Sequence, residues 1–292
     1  MGDIADRREA ALAALAGALA DDMEHDFANW PLAWQELGSD QPHNPIAHTA
    51  LAGLDGFAAT AARRYAGYGS AAWATDGEWA TVGAAVGDGE QGLVCVSHVS
   101  VCCDVDGCFG ACGLDARPRL KHRLLFNRDQ TEGDVEVAVP PPPMEWGAES
   151  LKALLGGLAV RWVFSSGPAR YESGTVATPP PEDCASFRSF ASEAIRGHAL
   201  WALGQCSQSS SPTVAQDGLE HDLAAELSAL FTAGHLGIRY EPGLWASAAE
   251  WPTSLRSPAG WGVLLSAGSV ALAGASLLVQ AAAAAQSSAA VS

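Results

Sequence analysis

The last 36 residues of the chain, Ser257 to Ser292, contain no Asp, Glu, Lys, Arg or His, although 17% of the whole sequence is charged. Within this tail, residues 261–279 are apolar or small apart from three serines. An α-helix rises 1.5 Å per residue, so about 20 such residues cross the hydrocarbon core of a bilayer. The tail therefore predicts a C-terminal transmembrane helix. A buried helix of the protein core and a disordered segment are the alternatives.

Small residues recur along this tail at spacings that suit close contact between helices in a membrane. The predicted membrane and partner face consists of Trp261, Gly262, Ser266, Gly268 and Gly274. We expect it to bind other membrane-protein subunits. Arg256 is the nearest flanking charge, and the rule that cationic flanks stay inside predicts an acidic body on the cytosolic or organellar-matrix side of a single-pass anchor.

The body of the chain is strongly acidic, with 33 Asp and Glu against 16 Lys and Arg and a net charge of -17. Nucleic-acid binding needs clustered cations that neutralise phosphates, and the cations look scattered. The composition therefore predicts no nucleic-acid partner. It also predicts repulsion from anionic lipid, so that membrane contact is expected through the tail alone.

Proline clusters and changes in hydrophobic period divide the chain into four predicted segments. They are an N-terminal helical segment (1–70), a β-rich domain (71–178), a helical segment with a Ser-rich linker (179–256) and the apolar tail (257–292).

Within the β-rich domain, residues 78–86, 92–105, 119–127 and 134–139 have the composition and alternation of strands separated by Gly- and Asp-rich turns. The predicted fold class is α+β. It has an antiparallel β-meander or small barrel in the middle, flanked by N- and C-terminal helices, plus the C-terminal transmembrane helix.

A small barrel of this kind can hold an apolar or aromatic molecule on its inner face. The candidate ligand-binding residues are His98, His122, Trp162, Phe164 and Tyr171. A filled core is the alternative. No cofactor is predicted by any motif, and an apolar ligand, lipid or pigment is the one bound molecule that the pattern allows.

Cysteines cluster at residues 102–112, but their spacing lacks the paired knuckles of zinc sites. Adjacent Cys102 and Cys103 would point to opposite faces of a strand, so we expect no metal there. No catalytic motif was identified, and no catalytic residue is predicted.

Three function classes follow from these patterns. The first is a non-catalytic accessory or linker subunit anchored in a multi-subunit membrane complex, respiratory or photosynthetic, that acts as a scaffold through protein–protein contacts. The second is a barrel-type binding protein for an apolar ligand, lipid or pigment. The third is an enzyme whose site is not visible in the sequence.

Overall fold

The structure is a computed structural model that describes residues 2–101, 117–137, 145–208, 218–243, 245 and 247–289. These residues belong to two compact units. Unit 1 comprises residues 1–11 and 42–138, and unit 2 comprises residues 12–41 and 139–292. The four predicted segments are consecutive stretches of sequence, whereas the two units are defined by contacts in space. The division into four segments stays a prediction.

Helices and strands are both present, so the α+β class is confirmed for the described part of the chain. The helices are α1 (Gly2–His25), α2 (Trp30–Trp34), α3 (Gly53–Ala66), α4 (Asp76–Thr81), α5 (Ala148–Gly156), α6 (Phe187–Gln208), α7 (Leu219–Leu236), α8 (Trp251–Arg256) and α9 (Gly260–Ala289). The strands are β1 (His43–Asn44), β2 (Thr49–Ala50), β3 (Trp73–Ala74), β4 (Ala85–Val86), β5 (Leu93–Val101), β6 (Arg117–Asn127), β7 (Thr131–Glu132), β8 (Arg161–Phe164), β9 (Arg170–Glu172) and β10 (Thr175–Thr178).

Unit 1 is built on the antiparallel pair β5–β6, whose register runs from Leu93 opposite Leu125 to Val101 opposite Arg117. Strand β3 pairs with the last residues of β6. Leu125 packs with Trp73 and Cys95 in a buried cluster beside α3. This packing fixes one end of the long strand pair to the core of the unit.

A helix replaces one of the predicted strands in unit 1. Residues 78–86 were predicted to be extended, but α4 covers their first part and only β4 is a strand. The reason is a capping box, in which the Thr75 side chain accepts from the Glu78 amide and Glu78 accepts from the Thr75 amide. Such a box satisfies the free donors of a first helical turn.

Unit 2 contains a three-stranded sheet in the order β8-β10-β9 and a helical core made by α6, α7 and α9. Strand β10 is parallel to β8 and antiparallel to β9. Helix α6 packs on β9 and β10 on one side and on α7 and α9 on another. It also packs on α5, so α6 contacts five other elements of the unit.

The predicted small barrel is wrong for the described residues, whose sheets have two or three strands and do not close. The predicted meander is not confirmed either. Two local features explain the difference: α4 replaces part of a strand, and the described residues 134–137 lie outside any strand. Helix formation and short strands leave too little sheet to close on itself.

Helix α9 contains the segment Gly260–Gln280, which is long and apolar enough to cross a membrane by length and composition. In unit 2 it packs on α7 and α6, and its buried positions recur every three or four residues: Leu264, Ala267, Ala271, Ala275 and Leu278. A helix that packs inside a protein core explains the absence of charge on this face. Insertion of α9 into a membrane stays a prediction.

Candidate functional site: a buried arginine between two helices

Two charged side chains lie in the helical core of unit 2, where apolar residues are the rule. Arg196 on α6 is 3% exposed, and Glu226 on α7 is fully buried. Glu226 lies among Leu223, Leu227 and Leu230 on the buried side of α7. A buried charge is costly unless it is paired and hydrogen-bonded, so these two residues require a dense set of partners.

Arg196 finds acceptors in four directions. Its Nη1 donates to Glu193 Oε1 at 2.5 Å, and its Nη2 donates to the carbonyl oxygen of Glu241 at 2.7 Å. Its Nε lies 3.3 Å from Glu226 Oε2 and 3.1 Å from the Tyr240 hydroxyl. The guanidinium group is therefore held by two carboxylates, one hydroxyl and one backbone carbonyl.

Glu226 is saturated by donors at both oxygens. The Tyr240 hydroxyl donates to Oε2 at 2.9 Å, and the Trp245 indole donates to the same oxygen at 2.6 Å. The Gly243 amide donates to Oε1 at 2.9 Å. Together with Arg196, four groups hold this carboxylate. We call Arg196, Glu193, Glu226 and Tyr240 the Arg196 centre.

The electric charges in this centre stabilise one another. Burial by itself lowers the pKa of Arg196, but Tyr240, Glu226 and Glu193 raise it, and the net pKa lies above its ordinary value. Burial raises the pKa of Tyr240 well above its ordinary value, partly opposed by Arg196. The centre therefore combines a permanently charged guanidinium with a phenol that stays protonated and donates.

A second buried basic group lies two residues further along α6. The His198 Nδ1 is 2.7 Å from the Ala194 carbonyl oxygen, so this nitrogen carries the proton. Its ring meets Trp162 edge to face at 4.9 Å, and the Trp162 indole donates to the Thr178 hydroxyl. Burial lowers the pKa of His198 to about 4, and the side chain is neutral.

In unit 1, cationic residues are clustered along strand β6. Residues 117–128 contain Arg117, Arg119, Lys121, Arg123 and Arg128, which are five of the 16 Lys and Arg in the chain, and no Asp or Glu. The first four occupy alternate positions of β6, the same set of positions that includes the buried Leu125. The totals of acidic and basic residues hide this stretch, and a count of charges in a short window of sequence reveals it.

The predicted ligand-binding residues lie on two separate sheets. His98 and His122 belong to β5 and β6 of unit 1, while Trp162, Phe164 and Tyr171 belong to β8 and β9 of unit 2. Trp162 and Phe164 are in contact edge to face, with ring centroids 5.3 Å apart. No closed barrel joins these residues within the described part of the chain, and ligand binding by either group stays a prediction.

The predicted partner residues of the tail have different surroundings in α9. A side-chain carbon at Gly262 would have no neighbour within 4 Å, whereas one at Gly274 would lie 2.8 Å from Ser228 Oγ and 3.1 Å from Leu203. Gly268 is buried, and Trp261 and Ser266 are partly buried. Gly274 thus serves the close approach of α9 to α6 and α7 inside unit 2.

The predicted metal-free cysteine cluster, residues 102–112, lies outside the described residues. Within them, no three His, Cys, Asp or Glu side chains come together as a metal ion would require.

No protein-family model and no curated protein sequence matches this chain. Solved structures do match in fold. The metal-free crystal structure of the antirestriction ArdC protein from the R388 plasmid aligns with a TM-score of 0.63 and 21% identity, over 93% of this chain and 97% of that one. The Mn(II)-bound structure of the same protein aligns with a TM-score of 0.67 and 19% identity, over 93% of this chain and 98% of that one. Identity this low shows a shared fold alone.

This likeness corrects three predictions. The prediction of an accessory or linker subunit of a membrane complex is wrong, because nearly the whole chain shares the fold of an antirestriction protein. The predicted membrane-subunit partners are wrong for the same reason. The exclusion of nucleic acid is also overturned, since both matching structures are of a protein named as an antirestriction protein.

Proposed function

We propose that this protein is an antirestriction protein that binds nucleic acid through the cations of β6. The fold shared with the ArdC protein supports the functional class, by analogy of fold. The observation that carries the binding site is the acid-free stretch of residues 117–128 in a chain with a net charge of -17.

The strand geometry suits a charged polymer. The β5–β6 register places Arg117, Arg119 and Lys121 opposite Val101, Val99 and Ser97, and β5 contains no Asp or Glu. Residues two apart in a strand are about 6.6 Å apart along it, so the backbone positions of these three cationic residues form a regular row. A row of this kind matches phosphates that repeat along a nucleic-acid strand, and a two-stranded ribbon is also an established shape for entering a DNA groove.

The far end of the row is already paired. The Arg123 guanidinium lies 2.9 Å from Asp55 on α3, with Arg123 37% exposed and Asp55 6% exposed. This ion pair joins the basic strand to the core of unit 1. We assign phosphate contacts to Arg117, Arg119 and Lys121, and an anchoring role to Arg123.

The test is the salt dependence of binding. Fluorescence anisotropy with labelled single-stranded and duplex oligonucleotides would compare the natural chain with the triple variant Arg117→Gln, Arg119→Gln, Lys121→Gln. Each lost phosphate contact removes about 0.7 to 0.9 from the slope of log affinity against log salt, so the slope should fall by about 2 to 3.

The matched control changes three cations of unit 2, as Lys152→Gln, Arg161→Gln and Arg170→Gln, with the same change in net charge. We expect its salt slope to stay close to that of the natural chain. Equal losses in the two triple variants, or no binding by the natural chain at low salt, would contradict the proposal.

A further inference from the structure

The matching ArdC protein exists in a Mn(II)-bound form, which raises the question of whether the residues present in this chain fit a metal ion. Glu193 on α6 and Glu226 on α7 are the two carboxylates that could contribute ligands, because both contact Arg196. Oxygen ligands of this type suit Mn(II). A metal would need free lone pairs on both carboxylates and a third ligand.

The donor set does not fit. Glu193 accepts from Arg196 at Oε1 and from the Ala169 amide at Oε2, at 2.7 Å. Glu226 accepts from Arg196, Tyr240 and Trp245 at Oε2 and from Gly243 at Oε1. Every carboxylate oxygen is thus directed at an N–H or O–H donor.

The spacing on α6 is nevertheless that of a metal-binding helix. Zinc-binding helices use His-Glu-x-x-His, in which histidines at i and i+4 lie on one face, and a carboxylate from another element often completes the set. Here the same spacing reads Ser192, Glu193, Ala194, Ile195, Arg196. Ser192 and Arg196 take the two histidine positions, and Glu226 takes the place of the outside carboxylate.

We infer that the Arg196 guanidinium is a built-in cation that stands in the place of a metal ion beside Glu193 and Glu226, so that this chain does not bind Mn(II) there. The inference stands independently of nucleic-acid binding by unit 1. A guanidinium supplies positive charge and up to five directed N–H donors, but it has no open coordination position and cannot activate a bound water. The centre consequently joins α6 to α7 and excludes metal-dependent chemistry at these carboxylates.

Ser192 supports this assignment because it too is engaged. Its hydroxyl oxygen accepts from the Glu241 amide at 2.8 Å, next to the carbonyl that accepts from Arg196. The segment that carries Tyr240, Glu241 and Gly243 is therefore fixed by both of the positions that would hold histidines in a metal-binding helix.

The first experiment titrates the natural full-length chain with Mn²⁺ and follows free Mn²⁺ by its room-temperature EPR signal. Mn²⁺ is the suitable probe because it prefers oxygen and nitrogen ligands over the chain's thiols. We expect the signal to match that of buffer containing the same Mn²⁺. Loss of one equivalent of free signal in the natural chain, restored by Glu226→Gln, would overturn the inference.

The second experiment uses the double variant Ser192→His, Arg196→His, with near-UV circular dichroism as the check on folding. We expect it to remove one equivalent of free Mn²⁺ signal. Adding Glu226→Gln should abolish this binding, which separates a three-ligand site from a simple pair of helical histidines. A folded double variant that binds no Mn²⁺ would contradict the claim that Arg196 stands in a metal-binding position. If the double variant does not fold, the titration of the natural chain still decides the question.

Discussion

The cations of unit 2 and those of unit 1 have opposite surroundings. Arg196 is buried and surrounded by Glu193, Glu226 and Tyr240, whereas the row on β6 lies in a stretch of sequence without acids. Arg196 forms its hydrogen bonds within the protein, whereas the cations of β6 are proposed to bind nucleic acid. The position of each cation relative to nearby acids, and not the net charge of the chain, therefore decides what it can do.

The largest expected effect comes from removing the buried cation. Arg196→Met leaves the buried Glu226 and the partly buried Glu193 without their counter-ion, and breaking a buried pair in this way costs about 3–5 kcal/mol of unfolding free energy. The control is Arg188→Met on the same helix, where a partly exposed guanidinium lies 3.4 Å from Glu241. It should cost about 1 kcal/mol or less.

Urea-induced unfolding measures both variants. Equal losses of unfolding free energy would mean that the Arg196 centre is no more than a surface-type ion pair, and the contrast between the two units would fail.

Sequence patterns alone located the long helices but not the Arg196 centre. Helical segments are readable because apolar residues that recur every three or four positions mark the buried face of a helix within one short stretch of sequence. Arg196, Glu226 and Tyr240 are separated by 30 and 14 residues along the chain, so their meeting depends on how α6 and α7 pack. One local signal was available: Glu226 falls within the leucine stripe of α7, and a carboxylate at such a position predicts a buried partner.

The sheet was less predictable for a similar reason. The alternation in residues 119–127 correctly indicated a strand but not which of its faces is buried, since Leu125 and Asn127 are buried whereas Leu124 is 49% exposed. Closure into a barrel is a property of many strands together, and no single segment encodes it. The apolar tail was predicted as a helix, but composition alone does not separate a membrane span from a helix packed on α6 and α7.

His198 tests what a carboxylate partner does for a buried basic group. It is buried like Arg196, but its hydrogen bond is to the Ala194 carbonyl oxygen and not to an acid. Its pKa is lowered to about 4, against about 6.5 in an unfolded chain. Between these values the unfolded chain binds a proton that the folded chain does not, so stability falls as the pH drops from about 6.5 to about 4. The loss attributable to this group is about 3 kcal/mol.

Chemical unfolding at pH 7 and pH 4.5 would compare the natural chain with His198→Leu, which should lose less stability over this interval. His25→Gln, at an exposed position of α1, is the control and should follow the natural chain. Identical pH profiles for all three proteins would show that burial without an acid partner does not neutralise a basic group here.

Gly243 tests how tightly the Arg196 centre is packed. A side-chain carbon at this position would lie 2.5 Å from Arg196 Nε and 2.7 Å from the Trp245 indole nitrogen. Gly243→Ala should therefore displace donors of Glu226 and cost about 1–3 kcal/mol. Gly262→Ala, where no neighbour lies within 4 Å, is the control, and its thermal midpoint should stay unchanged or rise slightly. Equal midpoints would mean that the centre tolerates rearrangement.

The smallest expected effect separates two cations of the same strand. Lys121→Gln should lower the salt slope of oligonucleotide binding by about 0.7 to 0.9, since a phosphate contact is lost. Arg123→Gln should lower it by less than half as much, because its guanidinium already holds Asp55. Removal of that ion pair should instead reduce the unfolding free energy by about 1 kcal/mol. Anisotropy and urea unfolding on the same two variants measure both quantities. Arg123→Gln could instead weaken oligonucleotide binding more than Lys121→Gln does. In that case the ion pair with Asp55 does not prevent Arg123 from binding phosphate, and only burial would distinguish Arg196 from the cations of β6.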